Sequence, residues 1–297
     1  MAWCARPRRY VLPFLLVTVL TLAAHARDSS WQIDQRVDWR EGALLIGVTA
    51  PLPTSGPNLP AAEHAVRREI DREVGRLFYE AAQRLRLNSA ALMIDRLIDD
   101  SRLSAALLAA VQSPQVVSVR RTTDMRSVEV QYRLELFPDI AATVVGHTNA
   151  QPLPRFAGWV PTRRYTGVVV FAQGQLPVYG EQSVAELRPA LLPAIYDQRL
   201  RRVMSHEMLE GSKARGGSLV RYVSDLNDPL VDEIAGPDPM RINASAVFGR
   251  RRSDIVIPES AAERLLYGHQ NSALLQGTRI VVVMSASRVT ESLGPDR

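Results

Sequence analysis

The residues that most often carry acid–base or metal chemistry are few in this sequence. Four histidines lie beyond the first 26 residues, at His64, His147, His206 and His269, and no two of them stand at a metal-binding spacing. Ser205-His206-Glu207 lacks the H-E-x-x-H pattern in which two histidines one helical turn apart bind zinc. The pattern favours a surface strand histidine at His206 over a ligand or a general base, and a site assembled from distant residues stays open.

Nucleophilic catalysis also lacks its usual motifs. The sequence contains no G-x-S-x-G elbow and no S-x-x-K motif followed by the other elements of penicillin-binding proteins, and its only cysteine is Cys4. These absences argue against peptidoglycan-processing chemistry without abolishing it. The sequence therefore assigns no catalytic, cofactor-binding or metal-binding residue, and it predicts no cofactor.

Two glycine-rich or basic segments could bind an anion. Residues 211–218 approach a phosphate loop, but no lysine follows the second glycine and the segment leads into a predicted strand where a helix N-terminus is needed. We predict a flexible turn between two strands there. Arg250, Arg251 and Arg252 could bind a phosphate or a lipid headgroup, yet their position favours a solvated strand end.

One acidic segment could bind calcium. It supplies oxygen ligands of the right kind, but their spacing matches no known calcium loop, and a polar connection is the favoured interpretation. The acids are Asp225, Asp228, Asp232, Glu233 and Asp238.

Hydrophobic periodicity predicts the elements that position these residues in the first half of the chain. A stripe at Val66, Ile70, Val74, Leu77 and Leu85 indicates an amphipathic helix that packs on a core, capped by Asn58 with Pro60 in its first turn. Alternating apolar residues predict two hairpins around this helical insertion. The predicted elements are a hairpin at 31–48, short helices at 90–98 and 102–111, a hairpin at 115–121 and 127–137, and a helical segment at 138–145.

The second half reads as short β-branched runs bounded by Gly, Pro or Asp. Residues 146–161 form a polar link into it, 225–239 a long loop, and Pro258 opens one late helix. The predicted strands are 164–172, 189–197, 202–208, 218–223, 240–248, 254–257 and 278–284. We therefore predict an α+β fold with antiparallel or mixed sheets, an N-terminal helical insertion and one late helix. The predicted units are 27–145, a linker at 146–161, a β-rich domain at 162–290 and a polar tail at 291–297.

The first 26 residues have the layout of a secretory signal peptide. Arg6, Arg8 and Arg9 precede an apolar run of about 14 residues and an Ala-His-Ala cleavage site ending at Ala26. The run falls short of the roughly 20 residues of a membrane anchor. We predict Sec-type export to the periplasm with cleavage after Ala26, and the twin-arginine alternative is disfavoured because the h-region is strongly apolar.

Removal of that peptide lowers the net charge and removes the only cysteine. It takes away three arginines and no acids, so the formal net charge falls from +5 to +2, which gives no charge argument for nucleic acid. Because Cys4 is lost as well, we expect no disulfide in the mature chain, so its apolar residues must supply the core; they make up 46% of the full sequence.

The second half also carries a resemblance. The order of Tyr165-Thr166-Gly167, the run 189–197, Asp228-Pro229-Leu230 and the run 244–249 resembles uncharacterised exported proteins of Gram-negative and spirochaetal bacteria. It is distantly similar to the outer-membrane lipoprotein family that includes a flagellar basal-body ring protein. The resemblance implies a structural or assembly role in the envelope, although the mature N-terminus lacks the cysteine that anchors those lipoproteins.

We therefore predict a non-enzymatic envelope protein that acts through protein contacts, with envelope or flagellar proteins as partners and no nucleic acid. The alternative is a periplasmic hydrolase or ligand-binding protein for cell-wall or small-molecule ligands. A deep polar pocket near His206 or the acidic segment would favour the alternative. An apolar patch or an open sheet edge would favour assembly.

Overall fold

The computed structural model describes residues 31–53, 59–156 and 158–293. These residues belong to one compact unit that begins at Trp31. The predicted signal peptide with its cleavage site, the Asn58 cap and the last four residues of the predicted tail lie outside the described residues.

Strands and helices occur throughout the described residues, and the predicted α+β fold class is confirmed. The strands are β1 Gln32–Asp38, β2 Ala43–Pro51, β3 Gln115–Arg121, β4 Ser127–Glu135, β5 Val168–Ala172, β6 Leu176–Pro177, β7 Val184–Ala185, β8 Ile195–Asp197, β9 Arg202–Met204, β10 Arg221–Val223, β11 Met240–Asn243, β12 Ala246–Phe248, β13 Asp254–Ile257, β14 Ile280–Met284 and β15 Thr290–Ser292. The helices are α1 Leu59–Gln83, α2 Met93–Leu97, α3 Ser101–Ala110, α4 Ala141–Val144, α5 Gly211–Gly216, α6 Pro229–Ala235, α7 Glu259–Leu266, α8 His269–Gln276 and α9 Ala286–Val289. A π-turn at Leu136–Ile140 and a 3-10 turn at His206–Met208 complete the set.

The first sheet is antiparallel, in the order β15-β1-β2-β4-β3. Alternate residues of β4 are buried, as the period of two predicts, while those between them are only partly covered. The apolar stripe of α1, including Ile70 and Phe78, belongs to the same core. Tyr132 of β4 donates a hydrogen bond to Asp71 of α1 at 2.7 Å, so its buried hydroxyl is satisfied.

The second sheet is parallel throughout, in the order β10-β14-β5-β11. All five residues of β14 are buried because both of its faces are covered. Val281 and Val283 pack with α6, and Ile280 and Val282 belong to the larger core. This central position explains the uninterrupted apolar run that predicts the strand.

A third sheet has the order β12-β13-β8-β9. It shows that the single strand predicted at 240–248 is wrong. Residues 240–248 form two strands in different sheets, because β11 pairs with β5 whereas β12 pairs with β13. The chain changes sheets at Ala244 and Ser245, whose amides donate to Phe171 and Val256 respectively. A single alternating run therefore serves two sheets, which periodicity alone does not reveal.

Further predictions about the second half are wrong. Residues 211–218 do not form a flexible turn, since α5 occupies most of them and buries Ala214. The predicted loop at 225–239 contains α6, and α8 follows the one predicted late helix. The strands predicted at 189–197 and 202–208 are also shorter, as β8 and β9.

The end of the described chain returns to the first sheet. Arg36 and Asp38 of β1 pair with Ser292 and Thr290 of β15. Residues 291 and 292, the first two of the predicted polar tail, therefore lie in a strand. The predicted division at residues 146–161 stays a prediction, although one hydrophobic core contains residues from both sides of it.

None of the helices in the described part of the chain combines the length and the apolar character that crossing a bilayer requires.

Candidate functional site

His206 lies in a half-buried turn and not on a surface strand, which corrects the sequence prediction. Its ring centroid is 5.7 Å from that of His147, whose Nε2 lies 3.0 Å from the carbonyl oxygen of Leu209. Burial lowers the pKa of His206, with a smaller opposing effect from Glu207. The pair has no third ligand, because residues 31–53, 59–156 and 158–293 contain no group of three or more His, Cys, Asp or Glu side chains placed to hold a metal.

The acidic segment is organised by local structure. Asp225 accepts hydrogen bonds from the backbone and side-chain nitrogens of Asn227 at 2.9 and 3.0 Å. Asp228 caps α6 through the Leu230 amide and receives a bidentate contact from Arg40 at 2.6 and 3.0 Å. Asp238 pairs with Arg163 at 2.8 Å. Through these contacts the three carboxylates hold the connection around α6 together.

Arginines converge elsewhere, around two cavities that share part of their lining. The first cavity has a volume of about 370 Å³ and the second about 490 Å³. Arg86, Arg188 and Arg288 line both of them. We call the two cavities together the arginine pocket, and its seven arginines are Arg84, Arg86, Arg188, Arg250, Arg251, Arg252 and Arg288.

Four separate segments bring these arginines together. Arg84 and Arg86 directly follow α1, and Arg288 lies on α9. Arg188 lies between β7 and β8, where its amide donates to the carbonyl oxygen of Arg252 at 2.9 Å. Arg86 Nε donates to the carbonyl oxygen of Pro189 at 2.9 Å, which ties the end of α1 to the same segment.

The turn that carries Arg250, Arg251 and Arg252 requires a glycine at its start. Gly249 has a φ of +84°, and a Cβ there would lie 2.3 Å from the Cβ of Ser89. The Arg251 amide donates to the Ser89 carbonyl oxygen at 2.9 Å. Close approach of two backbones therefore fixes the arginine turn against the segment that follows α1.

A buried carboxylate, two residues after Arg252, binds two of the segments around this turn. Asp254 is 3% exposed and accepts hydrogen bonds from Ser89 Oγ at 2.5 Å and from the Ala194 amide at 2.9 Å. Burial raises the pKa of Asp254, and the two hydrogen bonds oppose that rise. Asp254, the first residue of β13, thus joins the segment that follows α1 to the residue before β8.

Carboxylates neutralise only part of the pocket. Glu291 contacts Arg86 and lies 3.8 Å from Arg288, and Glu186 binds Arg288 at 2.8 Å. The Arg288 guanidinium holds the pKa of Glu186 below its usual range, with smaller effects from Ser285 and Arg188. The contact of Arg86 with Glu291 is mostly buried, and Glu291 lines the first cavity whereas Glu186 lines the second.

The remaining arginines differ in how far they are paired. Arg252 forms a bidentate contact with Glu181, and Arg251 is 3.8 Å from Asp95. Arg251 Nε is buried and has no hydrogen-bond partner among the described residues. Three other arginines of the pocket, Arg84, Arg188 and Arg250, form no ion pair within the part of the chain that the structure describes. The pocket therefore keeps an excess of positive charge and of N–H donors.

Sequence reasoning singled out Arg250, Arg251 and Arg252 and missed the other four arginines. Arg250 is exposed, as the predicted strand end requires, but Arg251 and Arg252 are half-buried at the pocket. No local pattern marks Arg86, Arg188 or Arg288, because about a hundred residues separate each from the next. Only the fold makes them neighbours.

A second surface feature lies on the first half of the chain. Nine large apolar side chains are exposed in the described part, and five of them lie between residues 98 and 125: Ile98, Leu108, Val116, Val117 and Met125. The segment includes β3, which is an edge strand of the first sheet. Val117 is 56% exposed at a register shift between Val116 and Ser118. This apolar edge segment, residues 98–125, offers side chains and unpaired backbone groups together.

Two family models match the chain in succession. Residues 30–143 match the model described as Treponema pallidum Tp0624, N-terminal domain, and residues 167–286 match Treponema pallidum Tp0624, second domain. The search of the curated proteins found no match. Through both domains the chain is similar to a spirochaetal protein family, which confirms that part of the predicted resemblance. The finer resemblance, to envelope lipoproteins and a flagellar ring protein, stays a prediction.

Proposed function

We propose that this chain, similar to Tp0624 through two successive domains, is an exported periplasmic protein that acts without catalysis in the structure or assembly of the cell envelope. It binds an envelope protein partner through the apolar edge segment. Flagellar or outer-membrane assembly proteins are the partners that the sequence resemblance favours. The signal-peptide pattern that ends at Ala26 supports the location.

The observation that carries the proposal is the concentration of exposed apolar side chains in residues 98–125. Proteins usually protect a sheet edge with charges or short strands because an open edge pairs with other chains. β3 ends in Arg120 and Arg121, but both arginines are engaged, by Glu129 and Glu63. Its first half presents Val116 and Val117 to solvent, which suits addition of an extended partner segment.

Site-specific crosslinking in cells tests the protein contact. A photocrosslinking residue at Val117 is expected to capture a defined envelope protein, identified by mass spectrometry. The matched control is the same residue at Gln270, an exposed position on α8. Capture at neither position, or equal capture at both, would contradict the proposed contact, and a second substitution, Val116→Lys, is expected to reduce capture from Val117.

Cell fractionation tests the location separately. The mature protein is expected in the periplasmic fraction with Arg27 at its N-terminus. Recovery of the protein with its first 26 residues in the cytoplasmic fraction would refute export while leaving the contact test intact.

The arginine pocket favours a second function, binding of an anionic ligand. Neither His206 nor the acidic segment, where the sequence places a possible ligand site, contributes to its lining. Among the described residues, its lining contains no histidine and no cysteine, and arginine is its most frequent residue.

A further inference from the structure

We propose that the arginine pocket is a binding site for a ligand with two phosphate groups, one bound in each cavity. This inference is independent of the proposed protein contact, because the pocket and the apolar edge segment share no residue. The two proposals can therefore fail separately.

The donor inventory of the pocket is the first argument. Each guanidinium carries five N–H donors and no acceptor. In the first cavity, Ser287, Thr290 and Ser292 add hydroxyl groups to Arg84 and Arg188. The acidic side chains that line the cavities, Glu186 and Glu291, are already bound by Arg288 and Arg86. A ligand that fits must carry negative charge and many hydrogen-bond acceptors, and it must carry no cationic group. A phosphate group meets these requirements.

The separation of the free charge is the second argument. Arg84 lines only the first cavity and Arg250 only the second, and neither has a carboxylate partner among the described residues. Arg188 lines both cavities and also lacks an ion pair there. One anionic group in each cavity, with Arg188 between them, would satisfy all three cations. A ligand with a single anionic group would leave one side uncompensated.

The character of the lining argues against an aromatic or strongly apolar ligand. Leu92 and Leu293 are the apolar residues of the first cavity, and Val184 and Ala185 those of the second. No aromatic side chain lines either cavity in the described part of the chain. Recognition therefore rests on charge and hydrogen bonds, and it should weaken as salt concentration rises.

Titration calorimetry with the purified chain tests the site, and pyrophosphate is the probe. We expect saturable one-to-one binding that the double substitution Arg188→Ala, Arg250→Ala weakens at least about tenfold, since hydrogen bonds to charged groups are strong. Arg188→Lys keeps the charge but loses the planar fork, and an intermediate loss is expected. The matched control is Arg241→Ala, which removes an exposed arginine on β11 away from the pocket.

The binding results test the proposal and distinguish a lipid headgroup from a soluble phosphate ligand. Absence of saturable pyrophosphate binding, an equal loss in Arg241→Ala, or equal affinity for citrate would overturn the proposal. Binding to vesicles that contain cardiolipin, whose headgroup carries two phosphates, with loss of that binding in Arg188→Ala and displacement by pyrophosphate, would identify a lipid headgroup as the source. Pyrophosphate binding without vesicle binding would identify a soluble phosphate ligand, and unchanged melting curves of the variants would show that each one folds.

Discussion

The acidic segment and the arginine pocket are both clusters of like charge, but the fold treats them differently. Asp225, Asp228 and Asp238 lie close in sequence, and each is used by a neighbouring backbone or arginine. The arginines of the pocket come from four distant segments, and three of them are left without an ion pair among the described residues. A charge cluster in sequence can thus be purely structural, whereas one built by the fold can remain open to a ligand.

The largest effect on stability is expected when the buried carboxylate of Asp254, close to the arginine turn, is removed. Asp254→Ala deletes the acceptor of Ser89 Oγ and of the Ala194 amide in a buried place. We expect a loss of about 2–3 kcal/mol in the free energy of unfolding, because buried donors are left unsatisfied. Chemical denaturation measures it, and a loss below about 0.5 kcal/mol, within the range of ordinary surface substitutions, would show that the turn does not depend on Asp254.

Asp254→Asn is the matched variant for that experiment. The amide can accept from Ala194 and donate to Ser89, so most of the stability should be kept. Because burial raises the pKa of Asp254, the folded wild-type protein binds the proton more tightly than the unfolded chain does. This carboxyl therefore lowers stability as pH rises from its ordinary pKa to its raised one, and the variant should lack that component.

The acidic segment should show the next largest effect, at Asp228. Asp228→Ala removes both the cap of α6 and the bidentate contact with Arg40, for an expected loss of about 1–2 kcal/mol. Asp228→Asn retains a capping oxygen and should lose less. Thermal melting of the two variants side by side separates the cap from the ion pair, and equal losses would assign the whole effect to the charge.

Asp228 also gives that segment a pH dependence of the opposite sign. The Arg40 guanidinium holds the pKa of Asp228 below its usual range. The stabilisation is therefore present above the pKa of the unfolded chain and is lost as pH falls through the lower pKa of the folded protein. A melting series in acid should show a smaller slope in Asp228→Asn, and an unchanged slope would mean that the contact with Arg40 does not form in solution.

A smaller effect is expected at Asp225, whose contacts are confined to Asn227. Asp225→Ala should cost about 0.5 kcal/mol or less, as exposed turn positions usually do. Added calcium should leave the melting temperature of the wild-type protein unchanged. A rise in melting temperature with calcium that Asp225→Ala abolishes would make the acidic segment a ligand site and reverse the comparison.

The smallest effect on stability is expected in the pocket itself. Arg188→Ala and Arg250→Ala remove cations that have no ion pair within the described chain, so the free energy of unfolding should change by no more than about 0.5 kcal/mol. Relief of repulsion from neighbouring arginines could even raise it. A large loss in denaturation experiments would show that these side chains hold the fold together, as the acidic segment does.

Local patterns predicted the first half of the fold well because its strands form hairpins between neighbours in sequence, although β2 also pairs with the distant β4. β3 and β4 lie at 115–121 and 127–135, close to the predicted hairpin, and the stripe of α1 is buried as its period requires. Here one pattern serves one sheet, and each strand lies beside its hairpin partner.

The second half could not be predicted to the same extent, for physical reasons that differ from element to element. The run 240–248 divides between two sheets, and α5 is held by contacts with distant residues, such as Arg215 Nη1 with the His147 carbonyl oxygen at 3.1 Å. By contrast, the sequence does indicate α6, because Asp228 is a favourable N-cap and Pro229 a favourable first residue of a helix. In the arginine pocket only the run Arg250 to Arg252 had a sequence signal, because the fold alone brings the other four arginines beside it.

The pairing of β15 with β1 has a consequence for how the protein is made. Ribosomes release the chain from its N-terminus, so β1 at Gln32–Asp38 emerges long before its partner at Thr290–Ser292. Until residues 290–292 are synthesised, the outer edge of β1 lacks its strand partner and is exposed to pairing with other nascent chains. Closing so long a loop is also slow. Truncations that stop before Thr290 should therefore aggregate in the cell even though they contain almost every residue of the core.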